Sequence, residues 1–220
     1  FEKIKSSYVD VFTVETKSYY EALKKTSVFK NRIEYLPNGV SLLDIDLTEL
    51  DTLPKENIIV TVGRLGTYEK NNSLLLNAIR NLPIELVKNW EFLLIGPSTQ
   101  EFSKEVALFK EKNPAIANCI NMTGEINNRN TLYSYLRRAK IICMTSLSES
   151  TCISTLEGMY FGTYPIITNY SDFTLDTTNN NKVGCIVENK NINALVSSLK
   201  HIMSDDNLYC KGLESQFYVR

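Results

Sequence analysis

From residue 57 onward the chain alternates short, β-branched apolar runs with longer amphipathic stretches, and few architectures accommodate that rhythm. The apolar runs are NIIVTVG (57–63), EFLLIG (91–96), IANCINMTG (116–124), KIICMTS (140–146), YPIITN (164–169) and VGCIVE (183–188). Each is short enough for a strand and too continuous for a strand with one wet face. The stretches between them, at 71–82, 99–112, 129–139, 150–162 and 191–204, carry helical spacing, and the first has asparagines at its ends as caps. Strands alternating with helices predict a mostly parallel sheet covered on both faces, with right-handed crossovers. The expected fold is therefore α/β, doubly wound and Rossmann-like. Such sheets bind ligands beyond the carboxyl ends of their strands, where the strand order reverses. That directs attention to the loops after residues 63, 96, 124, 146 and 169.

The chain divides at about residue 35. Residues 36–220 form the Rossmann-like unit, and 220 residues at 43% hydrophobic suffice for one sizeable core. Before it, DVFTVET (10–16) reads as one strand and KSYYEALKKT (17–26) as one helix, with IEYLPNGV (33–40) leading into the main unit. One strand and one helix cannot make an independent core. Residues 1–35 are expected to be the remnant of a preceding domain, or a linker. The opening FEKIKSSYVD has no signal-peptide pattern and no initiator Met, so the chain is expected to be a fragment of a longer protein.

Several classes of function are disfavoured. The formal net charge is −1, which gives no broad pull toward nucleic acid. No apolar run reaches the ~20 residues of a membrane span. The five cysteines form no CxxC pair, and several lie in apolar runs; they read as reduced thiols in a cytoplasmic protein. His201 is the single histidine and no ligand cluster has metal spacing, so no metal or other cofactor is expected.

The polar groups at the predicted binding edge are more informative. Glu149 and Glu157 are separated by seven residues and flank the start of the helix after the fourth strand. A helix N-terminus at a sheet edge has free N–H groups and a partial positive charge, and so favours phosphate. With a diphosphate there, Glu157, roughly 9 Å along the helix at 1.5 Å per residue, can accept from a ribose diol, and Glu149 from sugar hydroxyls. Two solvated glutamates at a helix start would look the same. The loop GRLGTYEKN after the first strand adds Gly63, which permits close backbone approach, and the cations Arg64 and Lys70, suited to a diphosphate. It is neither GxGxxG nor a Walker A loop, which weakens dinucleotide and ATP readings. Gly96 after the second strand and Thr123, Gly124 and Glu125 after the third fall on the same edge, though any tight turn also uses glycine there. Cations for a diphosphate, carboxylates for diols and backbone for a base converge on one kind of ligand.

At these residues the sequence resembles family 4 of the retaining glycosyltransferases, which have the two-domain GT-B architecture. The resemblance runs over about residues 33–204 and rests on LPNGV, VTVGRLGTYEKNNSLLLNAI, EFLLIGP, NMTGEI, LYSYLRRAKIICMTSLSESTCISTLEGMYFGTYPIITN and VGCIVENKNINALVSSLKHIM. It implies that the chain is the donor-binding, C-terminal half of an enzyme using a UDP- or GDP-sugar. Arg64 and Lys70 would hold the diphosphate and stabilise the leaving group, and Glu149 would contact the transferred sugar. Glu157 would bind the ribose. Loop residues Ser150, Thr151 and Cys152 would meet sugar or phosphate, and residues around Thr123–Glu125 would line the base pocket. The acceptor, a glycan or lipid-linked glycan, would be held by a separate N-terminal domain, with the whole enzyme cytoplasmic and peripheral at the inner membrane face. Departures are Ser150-Thr151-Cys152 in place of Phe-Gly or Phe-Pro, and Ser171-Asp172-Phe173 where Gly-Gly is usual. A non-catalytic nucleotide-sugar-binding module and a GT-B epimerase remain alternatives.

Overall fold

The computed structural model describes residues 8–26, 32–43, 45–48 and 53–220. The main unit is a six-stranded sheet of β3 (Glu56–Val62), β4 (Glu91–Ile95), β5 (Ile120–Gly124), β6 (Ala139–Met144), β7 (Tyr164–Thr168) and β8 (Cys185–Val187). The spatial order is β5-β4-β3-β6-β7-β8, and every neighbouring pair is parallel. The chain thus builds outward from β3 through β4 and β5, returns to the other side of β3 with β6, and continues outward. The reversal lies between β3 and β6. This is the doubly wound, Rossmann-like sheet expected from the alternation of runs.

Alternate residues of each strand serve different faces, and both faces are covered, which is why the runs are continuously apolar. Ile59, Phe92, Leu94, Ile141 and Ile166 pack against α2 (Asn72–Arg80), α4 (Gln100–Lys112) and α8 (Ile192–Met203). Ile58, Val60, Leu93, Ile142 and Ile167 pack on the opposite side with Tyr133 and Leu136 of α5 (Arg129–Arg138), with Cys152, which precedes α6 (Ile153–Tyr160), and with Phe161, which follows it. Short helices α3 (Ile84–Val87) and α7 (Phe173–Thr177) complete the connections. The last helix, α9 (Leu208–Val219), crosses the back of α6 and β7 within this same unit. Gly212 allows the crossing: a Cβ there would stand 2.4 Å from the Gly162 carbonyl oxygen. Gln216 then donates to Tyr160 O at 2.7 Å, and Ser215 to Val183 O at 2.7 Å.

The N-terminal segment holds one more strand than expected. β1 (Phe12–Val14) pairs in parallel with β2 (Ile33–Tyr35), with α1 (Lys17–Lys24) between them in sequence, so the pair is a small two-stranded sheet separate from the large one. No residue of α1 is buried.

Three glycines shape the functional edge. Gly63, Gly96 and Gly124 end β3, β4 and β5 with φ of +151°, +133° and +72°. Gly63 N donates to Ile95 O at 3.0 Å and Gly96 N to Gly124 O at 2.9 Å, tying the three strand ends together. A Cβ on Gly96 would lie 2.0 Å from Gly63 O, whereas one on Gly124 would meet nothing within 4 Å. Gly96→Ala should therefore lower unfolding free energy by at least ~2 kcal/mol, and Gly124→Ala by only about 1 kcal/mol, the backbone cost alone. Urea denaturation of the two variants checks this; equal losses would contradict it.

Candidate functional site

The reversal between β3 and β6 brings two loops together, residues 63–71 after β3 and 145–152 after β6. Backbone and side-chain bonds stitch them. Leu147 N donates to Glu69 O at 2.7 Å, and the buried Thr145 hydroxyl reaches Asn71 O at 3.0 Å and Lys70 O at 3.2 Å. Asn71 adopts a left-handed conformation at the start of α2, and its side chain makes no cap. The capping expected of it is absent; Asn72 instead accepts from Gly66 N at 2.8 Å and fixes the turn of the first loop.

Across this seam the Lys70 ammonium pairs with Oε1 of Glu149. The Ser146 hydroxyl donates to the same oxygen at 2.7 Å. The two charged side chains are only 16% and 13% exposed, so the pair is well shielded without being sealed from solvent. The lysine stem lies across the end of β3: a Cβ on Gly63 would meet Lys70 Cε at 3.4 Å, an ordinary van der Waals contact, so it is the φ of +151° and not crowding that favours glycine there. Arg64 is not part of this pair. Its side chain is 69% exposed and touches Glu69 at 3.4 Å, itself 47% exposed. Such a pair is screened by solvent and weak, and the guanidinium stays exposed on the rim.

Glu157 occupies a second position on α6. Helix α6 begins at Ile153, later than the expected 150, because Ser150 and Thr151 belong to the loop and Thr151 Oγ1 accepts from Asn38 Nδ2 at 2.6 Å. Glu157 is buried, 4% exposed. Its Oε1 accepts from Arg129 Nη1 at 2.7 Å and from the Tyr133 hydroxyl at 3.0 Å. Arg129 and Tyr133 are four residues apart on α5, hence on one face. That spacing was visible in RNTLYSYLRR, but their common partner becomes evident only once α5 is placed beside α6. Burial first, then the neighbouring Glu157 charge, pushes the Tyr133 phenol up to about 12, so it stays a donor.

The remaining expected residues fall around these two centres. Gly96 is buried at the strand edge; Thr123 is half-buried and donates to Gly124 O at 2.9 Å; Gly124, Glu125 and Ser150 are exposed. Cys152 precedes α6 and is buried, 2% exposed. Burial, then the Glu149 charge, raises its thiol, which makes it a packing group rather than a nucleophile. All five cysteines are free thiols. A cavity of about 250 Å³ beside the Asn38–Thr151 contact is lined by Pro37, Leu156, Phe173 and Thr177, and by neither Lys70 nor Glu149. Among the described residues, no group of three His, Cys, Asp or Glu side chains is placed to hold a metal ion, and no helix is long and apolar enough to cross a membrane.

Comparison with known proteins gives this arrangement a context. The family profile described as "Glycosyl transferases group 1" matches residues 47–213. An α-1,4-N-acetyl-D-galactosaminyltransferase of Campylobacter jejuni, named for an undecaprenol-diphosphate-linked acceptor, is 27% identical over 191 residues, 87% of this chain and 49% of that protein. The chain therefore spans about half the length of this relative. TarM of S. aureus, solved with UDP among its ligands, superposes with TM-score 0.73 at 19% identity over 99% of this chain and 42% of that one. HepE of Anabaena, solved with UDP, superposes with TM-score 0.75 at 12% identity over 100% of this chain and 63% of that one. At such identities these structures share the fold.

The Lys70–Glu149 geometry makes a prediction of its own. Lys70→Met should strand a poorly solvated carboxylate and cost about 1–3 kcal/mol of stability. Adding Glu149→Gln should recover most of that loss. A double-mutant cycle by urea denaturation at pH 7 measures it, and purely additive losses would show that the two side chains do not interact.

Proposed function

The chain belongs to the group 1 glycosyl transferases, and we propose that it forms the donor-binding half of an enzyme that transfers a sugar from a UDP-sugar to a glycan or lipid-linked glycan, with retention of anomeric configuration. The observation that carries this reading is the meeting of Lys70 and Glu149 at the reversal of strand order. That is where open α/β sheets take their ligands. A cation shielded from solvent at a sheet edge suits a diphosphate leaving group. As the bond between the anomeric carbon and the diphosphate breaks, negative charge grows on the departing oxygen, and a preorganised ammonium stabilises it. Lys70 lies against the strand end at Gly63, and Glu149, itself bonded by Ser146, keeps it there.

In this reading Lys70 holds the diphosphate, Arg64 swings from the rim to add a second contact, and the leaving group needs no metal. Glu149 accepts from hydroxyls of the transferred sugar. Glu157, held by Arg129 and Tyr133, accepts from the ribose, and the strand ends at Gly96 and Thr123–Glu125 lie alongside the base. The amides around Ser150, Thr151 and Cys152 face the sugar or phosphate. UDP is favoured over GDP by the UDP bound in the S. aureus and Anabaena structures, and an N-acetylhexosamine by the Campylobacter relative. The acceptor and the remaining catalytic groups come from another domain, residues 1–35 being the tail of that domain or a linker, which accords with a chain half the relative's length.

Titration calorimetry tests the assignment. UDP should bind the chain; Lys70→Ala should weaken it at least tenfold, the size of a lost charge-assisted hydrogen bond, and Arg64→Ala less, because its rim guanidinium is more solvated. Unaltered UDP affinity in Lys70→Ala would refute the placement.

A further inference from the structure

The stretch that leads from β2 into the main unit passes beside the loop after β6. Its later part is anchored by packing: Leu42, Ile45 and Leu47 lie on the core face that includes Tyr133, and the Tyr133 hydroxyl is 3.0 Å from Ser41 O. Residues 37–40 have no such anchorage. Pro37 and Val40 border the cavity of about 250 Å³, with Leu156 and Phe173 on its other side. A Cβ on Gly39 would meet nothing within 4 Å. A segment beside empty space has few dispersion contacts to hold it. Among the described residues, 37–40 make one hydrogen bond to the main unit: Asn38 Nδ2 donates to Thr151 Oγ1 at 2.6 Å. Both partners are half-buried.

The position of Thr151 gives that bond its significance. It stands two residues after Glu149 and two before Ile153, where α6 begins. The near end of the loop is held by Leu147 N, which donates to Glu69 O at 2.7 Å. Toward the far end, Asn38 holds the Thr151 side chain from outside the loop. Glu149 and Ser150 therefore lie between two ties to separate parts of the chain. We infer that Asn38 is a positioning residue: through Thr151 it fixes the loop after β6 so that Glu149 and the neighbouring amides face the sugar-diphosphate end of the donor. The inference rests on the donor-site reading above and adds a residue from outside the loops of the sheet. Asn38 touches no reacting group. A loop ordered before its ligand arrives loses less entropy on binding, so breaking the tie weakens the part of the ligand that this loop meets. The base and ribose, assigned to Thr123–Glu125 and Glu157, are read by other elements.

The test compares Kd values for UMP with those for UDP-N-acetylglucosamine and UDP-N-acetylgalactosamine, by titration calorimetry on the whole chain. UMP keeps the base, ribose and one phosphate but lacks the sugar and the second phosphate. Asn38→Ala should leave the UMP Kd within about twofold and raise that of the better sugar nucleotide roughly three- to tenfold, the range for one hydrogen bond. Thr151→Val, which keeps the shape and removes the hydroxyl, should do the same, and Thr151→Ser should stay close to wild type. The Asn38→Ala, Thr151→Val double variant should bind no more weakly than either single variant, because both remove one bond. An unchanged sugar-nucleotide Kd in Asn38→Ala, a rise shared equally by UMP, or losses that add in the double variant would overturn the inference. So would a wild-type chain that binds neither sugar nucleotide more tightly than UMP. A wild-type chain that binds none of the three would instead sink the donor-site reading, and the Asn38 role with it.

Discussion

The ion pair between Lys70 and Glu149 joins the two halves of a doubly wound sheet at the place where they part. One partner hangs from the loop after β3, the other from the loop after β6, and each loop continues into a helix on an opposite face. Hydrogen bonds from Leu147 and Thr145 close the same seam, so the pair does not depend on two flexible side chains finding each other. The lysine stem lies along the glycine that ends β3. Without this seam the edge would be a set of unrelated turns. With it, a shielded cation and a carboxylate share one locus, as the proposed donor with its diphosphate and sugar would require.

A second centre stands on the helix that follows the second loop. Along α6, Glu157 is gripped by Arg129 and Tyr133, so a buried carboxylate is satisfied while one guanidinium remains half exposed.

Much of this was legible in the sequence because burial on both faces imposes an unbroken apolar run on each strand, and all six strands of the large sheet were readable on that ground. The elements not readable are those with little periodic signal. Ile84–Val87 and Phe173–Thr177 are four- and five-residue helices. Ile33–Tyr35 is a three-residue strand whose pairing partners lie 21 residues back, beyond the reach of local pattern. Leu208–Val219 buries Leu208, Gly212 and Ser215, a face of small residues that lacks an apolar stripe. Within the candidate site, loop position and spacing sufficed to single out Lys70, Glu149 and Glu157, and the fold brings Lys70 and Glu149 into contact. Arg129 and Tyr133 were not, since their contact with Glu157 depends on α5 lying beside α6. Arg64 was grouped with Lys70 by sequence proximity, but adjacent side chains around a turn diverge, and in the free protein it pairs with Glu69.

The most direct test of the central claim is a crystal structure of the chain soaked with UDP. The account requires the diphosphate within hydrogen-bonding distance of Lys70 Nζ, at the gap between β3 and β6, with the ribose toward Glu157. A diphosphate bound elsewhere, in the cavity lined by Pro37 and Phe173 for instance, with Lys70 and Glu149 undisturbed, would contradict it.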